Sequence, residues 1–381
     1  MPSRRLRVGL IGTGVGLRTY LPGFASTGRA DVVGLAGSSP ERARELAAAA
    51  GVPRAYDDYR ALCADPTIDL ICVASPNEFH FEHFAAAAES GRHILVEKPA
   101  GTDAKELRRI LAIPPPVGRF VLVDHQLRFN PYLRALRASL ADGELGRPYL
   151  VRIHQQGVGQ LAQDLPYSWQ FDAARGGGVR LAMGSHLVDL LDFLLGSAPR
   201  DVVLGTVDPV VPFRRDRDGT RQRVTADSAF SATLRTAGTT ALLSASAAAA
   251  GETLLDVDVL GTAGEAHFSL AGNLRVSTSS GTRTVPGLRP PGTEAAENGS
   301  PGSVFKTSFN YFAHALTSAI LDGDADAVAG ASTLADHVSV LDTLDAVLRS
   351  AQTGRAVLPR RGDAGPLTEW RSATQERYGS G

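Results

Sequence analysis

From residue 6 to residue 124, short apolar runs alternate with longer amphipathic ones, the pattern left by βαβ units whose parallel strands are buried on both faces. The apolar runs predict strands over 6–11, 31–36, 70–74, 94–96 and 120–123. Between them lie helical stretches such as 40–50 and 78–90, with Pro40 suited to a first helical position. The first 124 residues therefore read as a doubly wound parallel sheet. After Asp124 the texture changes. A helical pattern over 131–141 leads into a strand over 147–156, and 201–277 holds Val-, Thr- and Leu-rich segments with no helix between them. That pattern predicts a mostly antiparallel sheet in an α+β domain spanning 125–381. Residues 286–303, rich in Gly, Pro, Ser and Glu, predict a surface loop. Helices are expected over 305–321 and 331–352, and a closing strand over 355–358, before a polar tail.

Composition narrows the partners rather than the fold. A chain of 381 residues suits two domains of ordinary size. With 43% hydrophobic residues, 21% charged residues and a net charge of -1, it has no general pull toward nucleic acid or a membrane, which leaves a small molecule as the expected partner. Of the two cysteines, Cys63 falls in a predicted helix and Cys72 in a predicted buried strand, which fits a reducing compartment rather than a disulfide scaffold. The basic residues 1–7 precede a short apolar stretch interrupted by Gly9, Gly12 and Gly14, unlike a signal segment, and no run of eighteen apolar residues marks a membrane span. A cytoplasmic protein is the expectation.

The first predicted strand runs into Gly12-Thr13-Gly14-Val15-Gly16. Glycines there permit a tight turn and let a pyrophosphate approach the backbone N–H groups that open a helix. The third glycine of G-x-G-x-x-G is Leu17, with Gly16 one place early, so the motif takes its weight from following the first strand; a plain glycine-rich turn is the other reading. At the end of the second strand, an NAD-selective site usually carries an acid that binds the ribose hydroxyls. Here the chain reads Gly37-Ser38-Ser39. Without a carboxylate, a 2'-phosphate is not repelled, and Ser38, Ser39 and Arg42 can supply hydrogen bonds and charge to it. NADP is favoured over NAD on this ground, although Ser38 and Ser39 also suit a simple turn.

Two further segments carry a family resemblance. Val73-Ala74-Ser75-Pro76-Asn77-Glu78-Phe79-His80 and Gly91-Arg92-His93-Ile94-Leu95-Val96-Glu97-Lys98-Pro99 closely resemble the core of the Gfo/Idh/MocA oxidoreductases, the glucose-fructose oxidoreductase and inositol dehydrogenase family. The likeness continues through Arg128-Phe129-Asn130-Pro131, Gly143-Glu144-Leu145-Gly146-Arg147-Pro148 and Gly176-Gly177-Gly178 to Gly184-Ser185-His186-Leu187-Val188-Asp189. It implies a Rossmann domain followed by a domain whose large open sheet helps form a homodimer or homotetramer. It also implies hydride transfer between a nicotinamide and a carbinol or carbonyl carbon, on a sugar or cyclitol derivative. Ser75, Pro76, Asn77 and His80 match the loop beside the cofactor, and Glu97 and Lys98 match the catalytic Glu-Lys-Pro element. Lys98 is one of only three lysines in the chain, with Lys105 and Lys306, so an amine at this place among so many arginines points to a titratable group.

The second-domain motif departs from the family pattern. Where members often carry an aspartate four residues before the histidine, this chain has Ala182 before His186. Alanine cannot orient an imidazole or take a proton. His186 is thus expected either to bond a substrate hydroxyl, with Asp189 one helical turn on as an orienting group, or to serve the packing alone. Arg128, Trp169 and Arg175 are candidate cleft residues, with Trp169 offering an apolar face to a sugar ring. Strand alternation suggests that His154 and Gln156 look into the same cleft. No metal is expected, since His80 and His83 share a helix face without cysteines or carboxylates clustered beside them. The main expectation is an NAD(P)-dependent oxidoreductase with Lys98 as general acid or base and His186 assisting. Ala182 leaves two others in view: a catalytically idle nicotinamide-binding sensor, and a redox-neutral epimerase or lyase that keeps its cofactor bound.

Overall fold

A computed structural model describes residues 4–162, 165–196, 200–236, 238–270, 273–287 and 304–359. Its first sheet is built from the predicted apolar runs. Strands β1 (Leu6–Ile11), β2 (Ala30–Ala36), β3 (Arg54–Tyr56), β4 (Leu70–Val73), β5 (His93–Val96) and β6 (Val121–Val123) are all parallel, in the order β3-β2-β1-β4-β5-β6. The order reverses between β1 and β4, which opens a crevice at their carboxyl ends. Helices α1 (Leu21–Ser26), α2 (Pro40–Ala50), α3 (Tyr59–Ala64), α4 (His80–Glu89) and α5 (Ala104–Leu111) make the crossovers. Helix α2 shows why such boundaries are readable: Pro40 opens it, the Ser39 hydroxyl accepts the Arg42 N–H at 3.3 Å, and Gly51 closes it in the left-handed conformation. Strand β3 escapes sequence reading because three half-buried edge residues show no period.

The second sheet has eight strands. They are β7 (Pro148–Val158), β8 (Arg200–Asp208), β11 (Ala229–Thr236), β12 (Thr239–Ala249), β13 (Leu254–Gly261), β14 (Gly264–Ser269), β15 (Asn273–Thr278) and β16 (Gly281–Val285), with β9 (Phe213–Arg215) and β10 (Arg221–Arg223) in a separate hairpin. The order is β16-β15-β14-β13-β7-β12-β11-β8, antiparallel except for the central β7–β12 pair. Along β11 buried and exposed positions alternate, so one sheet face is covered and the other open. Helices α6 (Pro131–Ala141), α7 (Val179–Ala182) and α8 (Gly184–Leu195) lie on the covered face, joined by α10 (Leu334–Thr353) against β8. The expected closing strand over 355–358 is reduced to one bridge, in which Val357 and Val203 exchange backbone hydrogen bonds. Of the loop expected over 286–303, residues from 288 onward lie outside the described residues, as does the tail from 360. Among the described residues no helix is long and apolar enough to cross a membrane.

Between the two helices of the C-terminal part, α9 (Val304–Asp322) does not join the second sheet. It returns to the first one, where Phe309 and Phe312 enter the apolar cluster formed by Leu6, Val8, Leu10, Tyr20 and Phe24. Phe309 stacks on Tyr20 at 4.6 Å between ring centroids and meets Phe24 edge-on at 5.7 Å. After α9 the chain bridges β6, with Val123 N–H donating to Ser332 O at 2.8 Å. A Phe309→Ala variant should lose about 3–5 kcal/mol of stability, read as a lowered urea midpoint, because it empties a fully buried ring site where α9 meets the first sheet.

Candidate active site

Four loops converge at the carboxyl edge of the first sheet: the glycine turn after β1, Ser75 after β4, Lys98 after β5 and Asp124 after β6. Gly12 donates its N–H to Ala36 O at 2.9 Å and has φ +112°, and a Cβ there would sit 2.3 Å from the carbonyl oxygen of Ala74. Only glycine lets the first turn lie against the end of β4. Gly14 differs, since a side chain there would meet nothing within 4 Å, so the fold itself does not demand a glycine. The open space at Gly14 suits a group outside the chain, and at Gly16, where the backbone turns into a helical segment, an added Cβ would lie 3.5 Å from Leu10. This cradle at the strand-order reversal fits a dinucleotide pyrophosphate. At the end of β2, Ser39 is occupied as a helix cap. The exposed Arg42 guanidinium pairs with Glu45 at 2.6 Å on the same helix.

His80 ties two of the loops together. Its Nε2 lies 2.8 Å from Ser75 O and its Nδ1 lies 2.9 Å from Pro99 O, while His83 Nδ1 reaches the Ser75 hydroxyl at 2.7 Å. Asn77 donates from Nδ2 to Gly176 O at 2.8 Å, and the Arg175 Nε donates to Glu78 at 2.7 Å. These two contacts hold the segment around 173–178 of the second domain onto the loop after β4. Arg175, expected at the substrate, is therefore committed to an interdomain ion pair. Trp169 opens the turn Trp169–Phe171 just before that segment and is half-buried.

The Lys98 ammonium, with its side chain 12% exposed, donates to Ala182 O at 2.6 Å, and Glu97 Oε1 lies 4.0 Å away. The position that lacks a carboxylate thus offers its backbone carbonyl to the amine. Burial pushes the Lys98 pKa down, and Glu97 and Asp124 act against that shift. Glu97 accepts the Tyr20 hydroxyl at 2.7 Å, and its own pKa is raised by burial against the pull of Lys98.

His186 opens α8 with its Nδ1 buried and without a hydrogen-bond partner, and burial together with Lys98 drives its pKa well down, so the ring is neutral. Asp189 does not orient it. Arg128 and Asp189 instead hold each other in a buried two-point pair, Nε to Oδ2 at 2.9 Å and Nη2 to Oδ1 at 2.7 Å, and the Ser332 hydroxyl donates to Oδ1 at 3.1 Å. Their polar groups are thus taken up by each other, by Gly330 O and by Ser332. Two further buried histidines complete this layer. Ala100 N–H donates to His337 Nε2 at 3.2 Å, which leaves the ring proton on Nδ1, 2.9 Å from His125 Nε2. The His125 proton then sits on Nδ1, 3.7 Å from Asp189. Both rings are held neutral, chiefly by burial.

Sequence reasoning missed Tyr20, Asp124, His125 and His337, all within this layer. Asp124 and His125 carried a usable signal, because they directly follow the last strand at the ligand-binding edge. His154 and Gln156 need correction. The covered face of β7 carries Val151, Ile153 and Gln155, and a Cβ at Gly157 would lie 3.1 Å from Met183, so the odd positions face α7 and α8. His154 bonds Ser244 at 2.7 Å and Gln156 bonds Glu252 O at 3.0 Å from the opposite face. Gln155, buried with an unpartnered Oε1, lies on the face of β7 turned toward α7 and α8.

Comparison with known proteins agrees with this geometry. Residues 6–125 match the profile described as "Oxidoreductase family, NAD-binding Rossmann fold", and residues 133–267 match the "GFO/IDH/MocA C-terminal domain". The chain is 30% identical over 201 residues to 1,5-anhydro-D-fructose reductase of Ensifer adhaerens, covering 52% of this chain and 59% of that protein. It is 28% identical over 203 residues to D-glucoside 3-dehydrogenase of Escherichia coli, covering 51% and 56%. The chain thus spans about half to three-fifths of the length of these curated relatives. Among solved structures, levoglucosan dehydrogenase in complex with NADH and L-sorbose has a TM-score of 0.81 at 24% identity, over 93% of this chain and 99% of that one, a likeness of fold.

The two glycines give opposite expectations. Gly14→Val should leave thermal stability near the parent's while weakening nicotinamide dinucleotide binding tenfold or more, by order of magnitude, through a blocked cradle. Gly12→Ala should lower thermal stability, because its methyl meets the Ala74 carbonyl. Thermal melts with calorimetric titration of NADPH and NADH read both.

Proposed function

The chain belongs to the Gfo/Idh/MocA oxidoreductase family, and from that premise we propose that it moves hydride between a bound nicotinamide cofactor and a carbinol or carbonyl carbon of a sugar-like or cyclic small molecule, with Lys98 as general acid or base. The observation that carries this reading is the Lys98 amine itself. It is almost buried at the carboxyl edge of the NAD-binding sheet and held at 2.6 Å by Ala182 O.

When bound, the nicotinamide supplies or accepts the hydride. The chain's own residues handle the proton. In reduction, the Lys98 ammonium gives a proton to the oxygen on which negative charge develops; in oxidation, its neutral amine takes the hydroxyl proton. Ala182 O orients Nζ without competing as a base, so proton transfer falls to Lys98 rather than to an aspartate–histidine pair. Neutral His186 is left to hydrogen-bond a substrate hydroxyl. The anhydro-sugar and glucoside named for the curated relatives support a sugar-like substrate. The absence of an acid at the end of β2 supports NADP over NAD. The Arg42–Glu45 pair, both partners exposed, is worth at most about 1 kcal/mol, so the guanidinium is free to turn to a 2'-phosphate. Assembly as a homodimer or homotetramer through the open face of the second sheet completes the reading.

Three measurements test it. Assayed on a panel of keto-sugars, polyols and cyclic imines, Lys98→Met should reduce kcat by about 100-fold or more while cofactor affinity changes little; full activity in that variant would remove Lys98 from the role. Because burial lowers the Lys98 pKa, the reductive rate should fall as pH rises through a value below the ordinary lysine range, and the oxidative rate should rise through the same value. Arg42→Ala should weaken NADPH about tenfold while barely altering NADH; equal losses would refute the 2'-phosphate role.

A further inference from the structure

Behind Lys98 lies a second carboxyl group whose hydrogen bonding is not closed. Asp124 is fully buried, and neither of its oxygens finds a donor. Asp124 follows Val123 as Glu97 follows its register partner Val96 on the adjacent parallel strand, and the Asp124 N–H donates to Val96 O at 2.8 Å, so the two acids leave neighbouring strands side by side. The one Tyr20 proton, however, goes to Glu97 Oε2 at 2.7 Å. An ionised Asp124 would therefore be a buried charge without a hydrogen bond, beside another carboxylate, which costs several kcal/mol or more. A protonated Asp124 removes both penalties, since its O–H donates to Glu97 and one anion remains where two would repel.

We infer that Glu97 and Asp124 share a single proton and act as one positioning pair, presenting one negative charge to the Lys98 amine. The charges around the pair fit. Lys98 is a single cation, 4.0 Å from Glu97 Oε1, and it balances one anion rather than two. Tyr20 and Cys72, facing the pair from the glycine turn and β4, are held neutral because burial pushes both upward. Toward Lys98 face His125, His186 of α8 and His337 of α10, all held neutral chiefly by burial, and His80 of α4, whose pKa burial lowers while Ser75 O and Pro99 O at its two ring nitrogens act against that shift. The pair thus sets the proton affinity of Lys98 with a charge that does not depend on which carboxyl carries the proton. Asp124 is fully buried and acts through Glu97 and Lys98.

The inference rests on the proposed role of Lys98 for its kinetic consequence but not for its spectroscopic one. If the proton is shared, removing either carboxyl lets the other ionise, and the charge persists; only removing both abolishes it. In kcat/KM against pH, Asp124→Asn and Glu97→Gln should each move the Lys98 limb by well under one unit. The double variant should move it down by about one unit or more, as expected when a cation loses its counter-charge. A shift in Asp124→Asn as large as that of the double variant would overturn the shared proton, and an unmoved double variant would overturn the action on Lys98. Infrared difference spectra need no turnover, and their first arm needs only the parent protein. At neutral pH the parent protein should show a protonated carboxylic acid C=O band that shifts when aspartate carboxyls carry carbon-13 and that is missing in Asp124→Asn. A parent without that band refutes the pair even in an active enzyme, whereas a protein idle on every substrate but showing the band fails only the enzymatic reading.

Discussion

An amine taken out of water must be given lone pairs in return, and the way this is met for Lys98 organises the molecule. The carboxyl edge of the first sheet supplies the counter-charge, and the closest hydrogen bond comes from the second domain, through Ala182 O at the end of α7. The two domains must therefore be in register to within a hydrogen bond for the amine to be solvated by protein. The surrounding interdomain contacts enforce that register: Asn77 to Gly176, Arg175 to Glu78, Ala100 to His337 and Val123 to Ser332. The buried Arg128–Asp189 pair joins the segment after β6 to α8 in the same layer.

Seen this way, the substitution of alanine at position 182 is less a gap than a change of duty. A carboxylate there would add a second anion near the amine and a competitor for its proton. The carbonyl keeps the contact and adds no formal charge. The neutral histidines behave alike: His125 and His337 pass a fixed tautomer from Ala100 toward Asp189, so the loop that carries Lys98 and Pro99 is tied to α10 without another cation beside the lysine.

The fold was legible wherever local chemistry and periodicity agreed. Continuous apolar runs gave away the parallel strands, Pro40 and Gly51 bounded α2, and the glycine turn took its meaning from following β1. The site was legible as far as the motif around Glu97 and Lys98. What the sequence hid were partnerships between distant residues. Arg128 and Asp189 look like ligand-binding residues until their ion pair is seen, and nothing local announces that His337 meets Ala100 or that Tyr20 reaches Glu97. The β7 error has another cause. Its inward side chains are Val151, Ile153 and Gln155; strand alternation groups His154 with Gln156 but does not say which parity faces inward, and a one-residue shift reverses the face.

The return of α9 to the first sheet also sets the order in which the chain can mature. The first 124 residues hold every strand of that sheet, yet the face that includes Leu6, Leu10, Tyr20 and Phe24 stays bare until Phe309 and Phe312 exist to cover it. At about 5–20 residues per second of synthesis, the nascent domain waits roughly 10–40 s with that apolar surface uncovered. During that interval it is a natural client for chaperones that hold exposed apolar surface. The cofactor turn, which leads directly into Tyr20, reaches its final setting only when α9 arrives. A chimera that exchanged the amino-terminal domain alone would inherit the same bare face, so the heritable unit of this fold is the first sheet together with α9.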